Sequence, residues 1–283
     1  MVYSILPYSL MTFKATLIIS FYNKIEWLKL LFAALERQSF QQFEVIIADD
    51  GSSSEVIRAI ADIQRVSTLK IEHLWHPDNG FKKTVMLNKA ILASRSPYLI
   101  FIDGDCIPHY RFVEDHLRLC KENRVLAGRR VNLSEHISKT LTKDKIRKGV
   151  LERFFFLRLL RNAVFGKSKD VEKGIYMGSE FLNNLFASTT KGILGCNFSI
   201  AKKDLLELNG FDERYRYPGV GEDSEIRRRI QFKGMEIFSP MFCMVQYHLW
   251  HPRLSREHEP ENFVLLNETL ANKYTATPYG IKS

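Results

Sequence analysis

The residues that could do chemistry in this chain are carboxylates, and they come in clusters. Asp49-Asp50 runs into Gly51-Ser52, and Asp103-Gly104-Asp105 encloses a glycine. Each cluster closes an apolar run, residues 43–48 and residues 98–102. Two carboxylates brought together repel unless something positive lies between them. A divalent cation such as Mg²⁺ or Mn²⁺ meets that need, because it takes oxygen ligands and keeps positions open for phosphate oxygens. Gly104 frees the backbone to turn and lets a cation approach. Asp and Gly also build ordinary turns after strands, so one cluster alone carries little weight. Two at successive strand ends point to a site. Neither a G-x-G-x-x-G run nor a Walker-type run occurs, which removes the Rossmann dinucleotide and P-loop readings. If phosphates bind, a metal must neutralise them.

Such carboxylates need a scaffold that delivers them to one edge. Apolar runs at residues 16–21, 43–48, 69–75 and 98–102 read as strands. Between them, residues 24–38, 53–64 and 81–94 read as helices; Ile25, Leu28, Leu31, Phe32 and Leu35 share one face of the first. Strands alternating with helices at this pace predict an α/β fold with a mainly parallel sheet. In such sheets ligands bind beyond the carboxyl ends of the strands. The second half is less regular. Strands are expected at 125–131 and 193–201, and a helix at 202–209 closed by Gly210. A second helix is expected at 222–232, then an extended stretch at 235–247 interrupted by Pro240. Residues 259–283 read as a loose polar tail.

Composition narrows the class. With 283 residues, 45% hydrophobic and 26% charged, the chain is a folded protein, not a disordered, collagenous or coiled-coil one. The four cysteines are scattered with no C-x-x-C pair, so a disulfide scaffold or structural zinc site is not expected and a reducing, cytoplasmic setting is. Residues 1–11 lack a basic stretch and contain Pro7, and so read poorly as a signal peptide; Met11 is an alternative start to Met1. No apolar run approaches the ~18–20 residues of a membrane span, so a soluble or peripheral protein is expected. The net charge is +9. Residues 139–168 carry nine basic and two acidic residues, a surplus of seven. Ile146, Val150, Phe154, Leu157, Leu160 and Val164 recur there at helical spacing. This predicts a basic amphipathic helix that either lies on an anionic membrane or packs on the domain. Charge confined to one Phe-rich segment argues against a nucleic-acid-binding protein.

The order of motifs resembles the family 2 glycosyltransferases of the GT-A fold. The resemblance begins with the first strand, Thr-Leu-Ile-Ile-Ser-Phe-Tyr-Asn. It runs through Asp49-Asp50-Gly51-Ser52, Asp78-Asn79-Gly80 with a basic helix start, and Asp103-Gly104-Asp105. It continues through Gly195-Cys196-Asn197-Phe198-Ser199, Asn209-Gly210-Phe211-Asp212-Glu213, Gly221-Glu222-Asp223 and His248. These later motifs resemble the acceptor half of chondroitin-polymerase and beta-galactosyltransferase types. The resemblance implies one GT-A domain over residues 14–258, a Rossmann-like sheet flanked by helices. Residues 14–106 would form the nucleotide-sugar half and 107–258 a less regular acceptor-binding half. It implies that Asp49 and Asp50 grip the nucleotide, Asp50 foremost. Asp105 would be the main ligand of Mn²⁺ or Mg²⁺, with Asp103 closer to the nucleotide. His248 would complete the metal site, with His251 as its rival.

Lys82 and Lys83 would help hold the diphosphate at a helix start, where amides and dipole favour anions. Asn88 would pack near the nucleotide. Glu222 and Asp223 would bind acceptor hydroxyls, with Asp223 as general base, and Tyr217 and Trp250 would touch sugar. The implied activity is metal-dependent, inverting transfer from a nucleotide sugar, a UDP-sugar foremost. The acceptor would be a saccharide or lipid-linked glycan in cell-surface polysaccharide synthesis. A haloacid-dehalogenase-type phosphotransferase also places Asp-x-Asp after a strand and uses Mg²⁺. It has that strand near its start, whereas Asp103 lies a third of the way along.

Overall fold

Four strands run parallel to one another, the fourth beside the first. They are β1 (Ala15–Phe21), β2 (Phe43–Asp49), β3 (Lys70–Trp75) and β4 (Tyr98–Asp103). The computed structural model describes residues 13–152, 168–188, 192–252 and 255–282. The helices Ile25–Leu35, Ser54–Val66 and Lys83–Ala93 connect these strands. Both faces of the sheet are covered, so the strands are apolar throughout rather than alternating. Leu17, Ile19, Val45 and Ile47 pack with Leu28, Leu31, Val56 and Ile60 on one side. Ile18, Ile46 and Ala48 pack with Met86, Ala90, Ile226 and Ile230 on the other.

The remaining strands are β5 (Cys106–Pro108), β6 (Arg124–Ala127), β7 (Val131–Asn132), β8 (Asn197–Ala201), β9 (Glu236–Phe238) and β10 (Gln246–His248). The large sheet has the order β3-β2-β1-β4-β8-β6-β9, and a small sheet has the order β5-β10-β7. β8 is antiparallel to both its neighbours, β4 and β6. One sheet therefore contains strands from both halves of the chain.

Register sets the site. Phe21 pairs with Asp49 on one side of β1, and Ser20 with Asp103 on the other. Both acidic clusters thus end level, flanking the end of β1. His248 pairs with Cys106 across β10 and β5, which brings the histidine beside Asp105.

The sequence-based boundaries fail where the chain changes sheets. The strand expected at 125–131 divides into β6 and β7 at Gly128, whose amide donates to Asn197 O at 2.9 Å. A Cβ at Gly128 would collide with the Asn197 side chain. The strand expected at 193–201 begins only at Asn197, because the residues before it line the cleft described below. The expected loose tail instead contains the helix Glu259–Asn272, started by a proline in its first turn and docked through buried Asn262 and Thr269. The helical period read through the basic segment is broken in its described part. A short helix, Lys143–Arg147, ends before Gly149, whose φ is +69°, and Ile146 and Leu151 are buried in the core. Residues 153–167 of that segment lie outside the described residues. Among the described residues, no helix is long and apolar enough to cross a membrane.

Candidate active site

The carboxyl ends of β1, β2 and β4 open onto a cleft of about 820 Å³. Asp49, at the end of β2, is fully buried and turned away from it. Its Oδ1 accepts from Ser52 N at 2.9 Å and Ser52 Oγ at 2.6 Å, and its Oδ2 lies 2.9 Å from His73 Nε2. Asp50 lines the cleft. Its carboxylate accepts the Lys82 amide at 2.8 and 3.1 Å and lies 3.0 Å from His76 Nε2. Burial raises the Asp50 carboxyl above its ordinary range, against the Lys82 amide and His76, which lower it. Gly51 is required here: its φ is +96°, and a Cβ would meet Asp78 Cα at 2.6 Å.

The second cluster is arranged differently. Asp105 Oδ2 lies 3.2 Å from His248 Nε2 and 3.3 Å from His251 Nε2. The three ligand atoms all fall within 4.8 Å of one another. Asp105 is held in place by its own carbonyl, which accepts from Leu249 N at 2.9 Å. His251 Nδ1 lies 2.7 Å from Pro252 O, so the Nδ1 proton is donated there and Nε2 faces the carboxylate. A metal ion would take the place of the Nε2 proton that now faces Asp105, with Nδ1–H still held by Pro252 O. Burial alone would raise the Asp105 carboxyl, but the His248 and His251 contacts outweigh it and hold it far below the usual range.

Asp103 has the opposite imbalance. Its Oδ1 is buried without a hydrogen-bond partner, with Lys83 Nζ at 3.3 Å as its nearest cation. Burial raises it, and the Asp105 charge adds to this against Lys83. Two imidazoles and two carboxylates, one of them short of a hydrogen bond, fit a divalent cation.

Lys83 joins this cluster to the third one. Its Nζ lies 2.9 Å from Glu222 Oε1. Burial would lower the Lys83 ammonium, but Asp103 and Glu222 hold it well above its ordinary value. Glu222 in turn is held low: burial would raise it, and Lys83 overrides that. Asp223 is raised, by burial and then by the Glu222 charge. Its Oδ2 accepts from Gly195 N at 3.2 Å. Of two adjacent carboxylates at one helix start, Lys83 favours the charged form of Glu222, and burial with that neighbour favours the neutral form of Asp223.

The structure therefore brings Asp50, Lys83, Asp103, Asp105, Glu222 and Asp223 into one cleft, with His248 reached through Asp105. Asp49, Lys82, Asn88, Tyr217 and Trp250 do not line it. Lys82 contributes its backbone amide rather than its charge. Asn88 is buried, and its side-chain amide is taken up by Phe211 N, Phe211 O and Glu213 at 2.8–2.9 Å, which ties two parts of the chain together. Tyr217 stacks on His258 at 4.4 Å, and Trp250 is exposed. Sequence reasoning missed Arg130, a guanidinium in the cleft with Nη1 3.3 Å from Cys196 Sγ. It belongs to no motif, and only the switch between sheets after Gly128 aims it inward. His251, the rival to His248, stands beside it rather than replacing it.

The family model for glycosyl transferase family 2 matches residues 16–183, and that for the N-terminal domain of galactosyltransferase matches residues 179–252. A chondroitin synthase from Escherichia coli is 26% identical over 93% of this chain and 38% of its own length. A hyaluronan synthase from Pasteurella multocida is 24% identical over 93% of this chain and 27% of its own. The chain thus spans well under half the length of these curated relatives. Among solved structures, the mannosyltransferase PcManGT from Pyrobaculum calidifontis, in complex with GDP-Man and Mn²⁺, superposes with a TM-score of 0.62 at 14% identity, over 94% of this chain and 66% of that one. Staphylococcus aureus TarS gives a TM-score of 0.58 at 16% identity, over 92% and 40%.

Proposed function

The chain belongs to glycosyl transferase family 2, and on that premise we propose that it is a metal-dependent, inverting enzyme. It moves a sugar from a UDP-sugar to a hydroxyl of a saccharide or lipid-linked glycan in cell-surface polysaccharide synthesis. The observation that carries this reading is the single cleft in which Asp105, His248 and His251 converge at one end and Glu222 and Asp223 stand across Lys83. That is a donor end and an acceptor end separated by one ammonium.

Asp105, His248 and His251, with Asp103 beside them, would hold Mn²⁺. A bound divalent ion there stabilises negative charge on the leaving diphosphate. Asp50 and the loop over Gly51 hold the nucleotide. Lys83 and Arg130 place two further cations against phosphate oxygens. Glu222, kept ionised by Lys83, orients an acceptor hydroxyl, and Asp223 removes its proton as the oxygen attacks the anomeric carbon. One displacement at that carbon inverts it. The charge surplus of residues 139–168, rather than the apolar residues Ile146 and Leu151 that pack into the core, supports a seat on the anionic cytoplasmic face of a membrane. Flotation with liposomes should lose its dependence on anionic lipid when residues 143–165 are deleted, and equal recovery of both forms would refute that seat.

The central test is nucleotide release from a panel of UDP- and GDP-sugars with Mn²⁺, with and without acceptor oligosaccharides. UDP release that rises with acceptor is expected. No release and no binding for every nucleotide sugar would overturn the assignment.

A further inference from the structure

The acceptor side of the cleft is built on a loop that its own neighbours scarcely hold. Pro218 and Gly219 line the cleft, and Gly221 caps the helix that carries Glu222 and Asp223. Among the described residues, the hydrogen bonds to the backbone of 217–220 come from two side chains of the terminal helix. Glu259 Oε1 accepts from Val220 N at 2.9 Å, and Asn262 Nδ2 donates to Tyr217 O at 2.9 Å. His258, just before that helix, stacks on Tyr217. The fit is close: a Cβ on Gly219, whose φ is +132°, would lie 3.1 Å from Glu259 Cγ.

The same helix is pinned to the helix Glu222–Phe232. Thr269 Oγ1 donates to Glu225 Oε1 at 3.1 Å, and Glu225 is paired with fully buried Arg229 at 2.7 Å. Arg214, just ahead of the loop, pairs with Glu268 at 2.7 Å. Asn262 is 1% exposed. A buried amide side chain that meets a loop carbonyl needs that carbonyl, because an unpaired buried polar group is costly.

We propose that Glu259 and Asn262 are positioning residues for acceptor binding: they fix the 217–221 loop, and through it the approach of the acceptor hydroxyl to Asp223. This rests on the reading of Glu222 and Asp223 as the acceptor end. The terminal helix touches no substrate in this scheme. It sets where the acceptor's floor lies, and small displacements of reacting groups have large kinetic effects.

The test separates loop position from general damage. Asn262→Ala and Glu259→Ala should raise the KM for acceptor roughly 10- to 100-fold. The affinity for nucleotide with Mn²⁺ should match the unaltered protein. Glu259→Gln keeps an oxygen for Val220 N and should restore the acceptor KM. An unchanged acceptor KM in Glu259→Ala, or equal impairment of Glu259→Gln and Glu259→Ala, would overturn the proposal. Hydrogen exchange supplies an arm independent of activity. The amides of 217–223 should exchange faster in Glu259→Ala than in the unaltered protein, while those of β1 and β4 do not. Unchanged loop exchange would refute the positioning role even if Asn262→Ala failed to fold. Faster loop exchange in a protein that releases no nucleotide would leave the positioning intact and refute the glycosyl transfer assignment instead.

Discussion

The two acidic clusters at the ends of β2 and β4 look alike in sequence and differ in what the fold does with them. At β2 the protein answers its own carboxylates. Asp49 is closed off by Ser52 and His73, and Asp50 is held by the Lys82 amide and His76. At β4 the answer is thinner: Asp103 Oδ1 has the Lys83 ion pair at 3.3 Å but no hydrogen bond, and Asp105 gathers two imidazoles that a metal could share with it. The first cluster is mainly architecture with one face toward the cleft; the second turns its carboxylates into the cleft with few hydrogen bonds of its own. An acidic pair signals a ligand when its own fold leaves it unsatisfied, not merely when it closes a strand.

The contrast can be broken most sharply at Asp105. Asp105→Ala should abolish Mn²⁺-dependent nucleotide binding and lower transfer by more than about 10³-fold, read by calorimetry and nucleotide release. The Glu222–Asp223 pair extends the contrast, since Lys83 satisfies one member and leaves the other. Asp223→Asn should lower kcat by roughly 10²- to 10⁴-fold while donor affinity is unchanged; a full rate would sink the assignment of the base. Asp49→Ala should do the reverse of Asp105→Ala. Metal-dependent binding should persist, while loss of the buried acceptor for Ser52 and His73 costs about 1–3 kcal/mol, seen as a melting point lower by a few degrees.

The smallest effect is in the pH profile. A general base works only when deprotonated, and burial and Glu222 raise Asp223. The fall in kcat on the acid side should therefore begin above the range of an ordinary carboxylate, ~3.9. Global stability should fade on the acid side as well. His109 is pushed down to about 4 and His116 to about 3, both chiefly by burial. The unfolded chain binds those protons first, so stability is lost as pH falls below about 6.5.

Much of this was legible in the sequence where local pattern and fold agree. The four parallel strands are continuous apolar runs, and the helix 222–232 was placed to the residue by its acidic start and Lys-Gly end. Asp105, Asp103, Glu222 and Asp223 were visible because they close or open those elements. What was hidden depends on distant pairing. Lys82 and Lys83 read alike as phosphate-holding lysines at a helix start; that Lys83 alone lies between Asp103 and Glu222, which are far apart in sequence, only the fold shows. The pairing of the Asn88 side chain with Phe211 and Glu213, more than a hundred residues on, is equally invisible to local pattern. The terminal helix buries the polar Asn262 and Thr269 and exposes Phe263 and Val264, so hydrophobic periodicity could not find it.

β8 lies between β4 and β6, although the chain must pass about ninety residues after β4 before reaching it. During synthesis the nascent β4 would wait on the order of ten seconds for its partner. In that interval Leu99, Ile100 and Phe101, all buried in the finished sheet, border an open edge. Such non-local pairing makes for slow folding and leaves the early intermediate prone to association. The arrival of Asn197–Ala201 is thus the event that covers this edge of β4, and it sets Gly195 where Asp223, made later, will meet its amide.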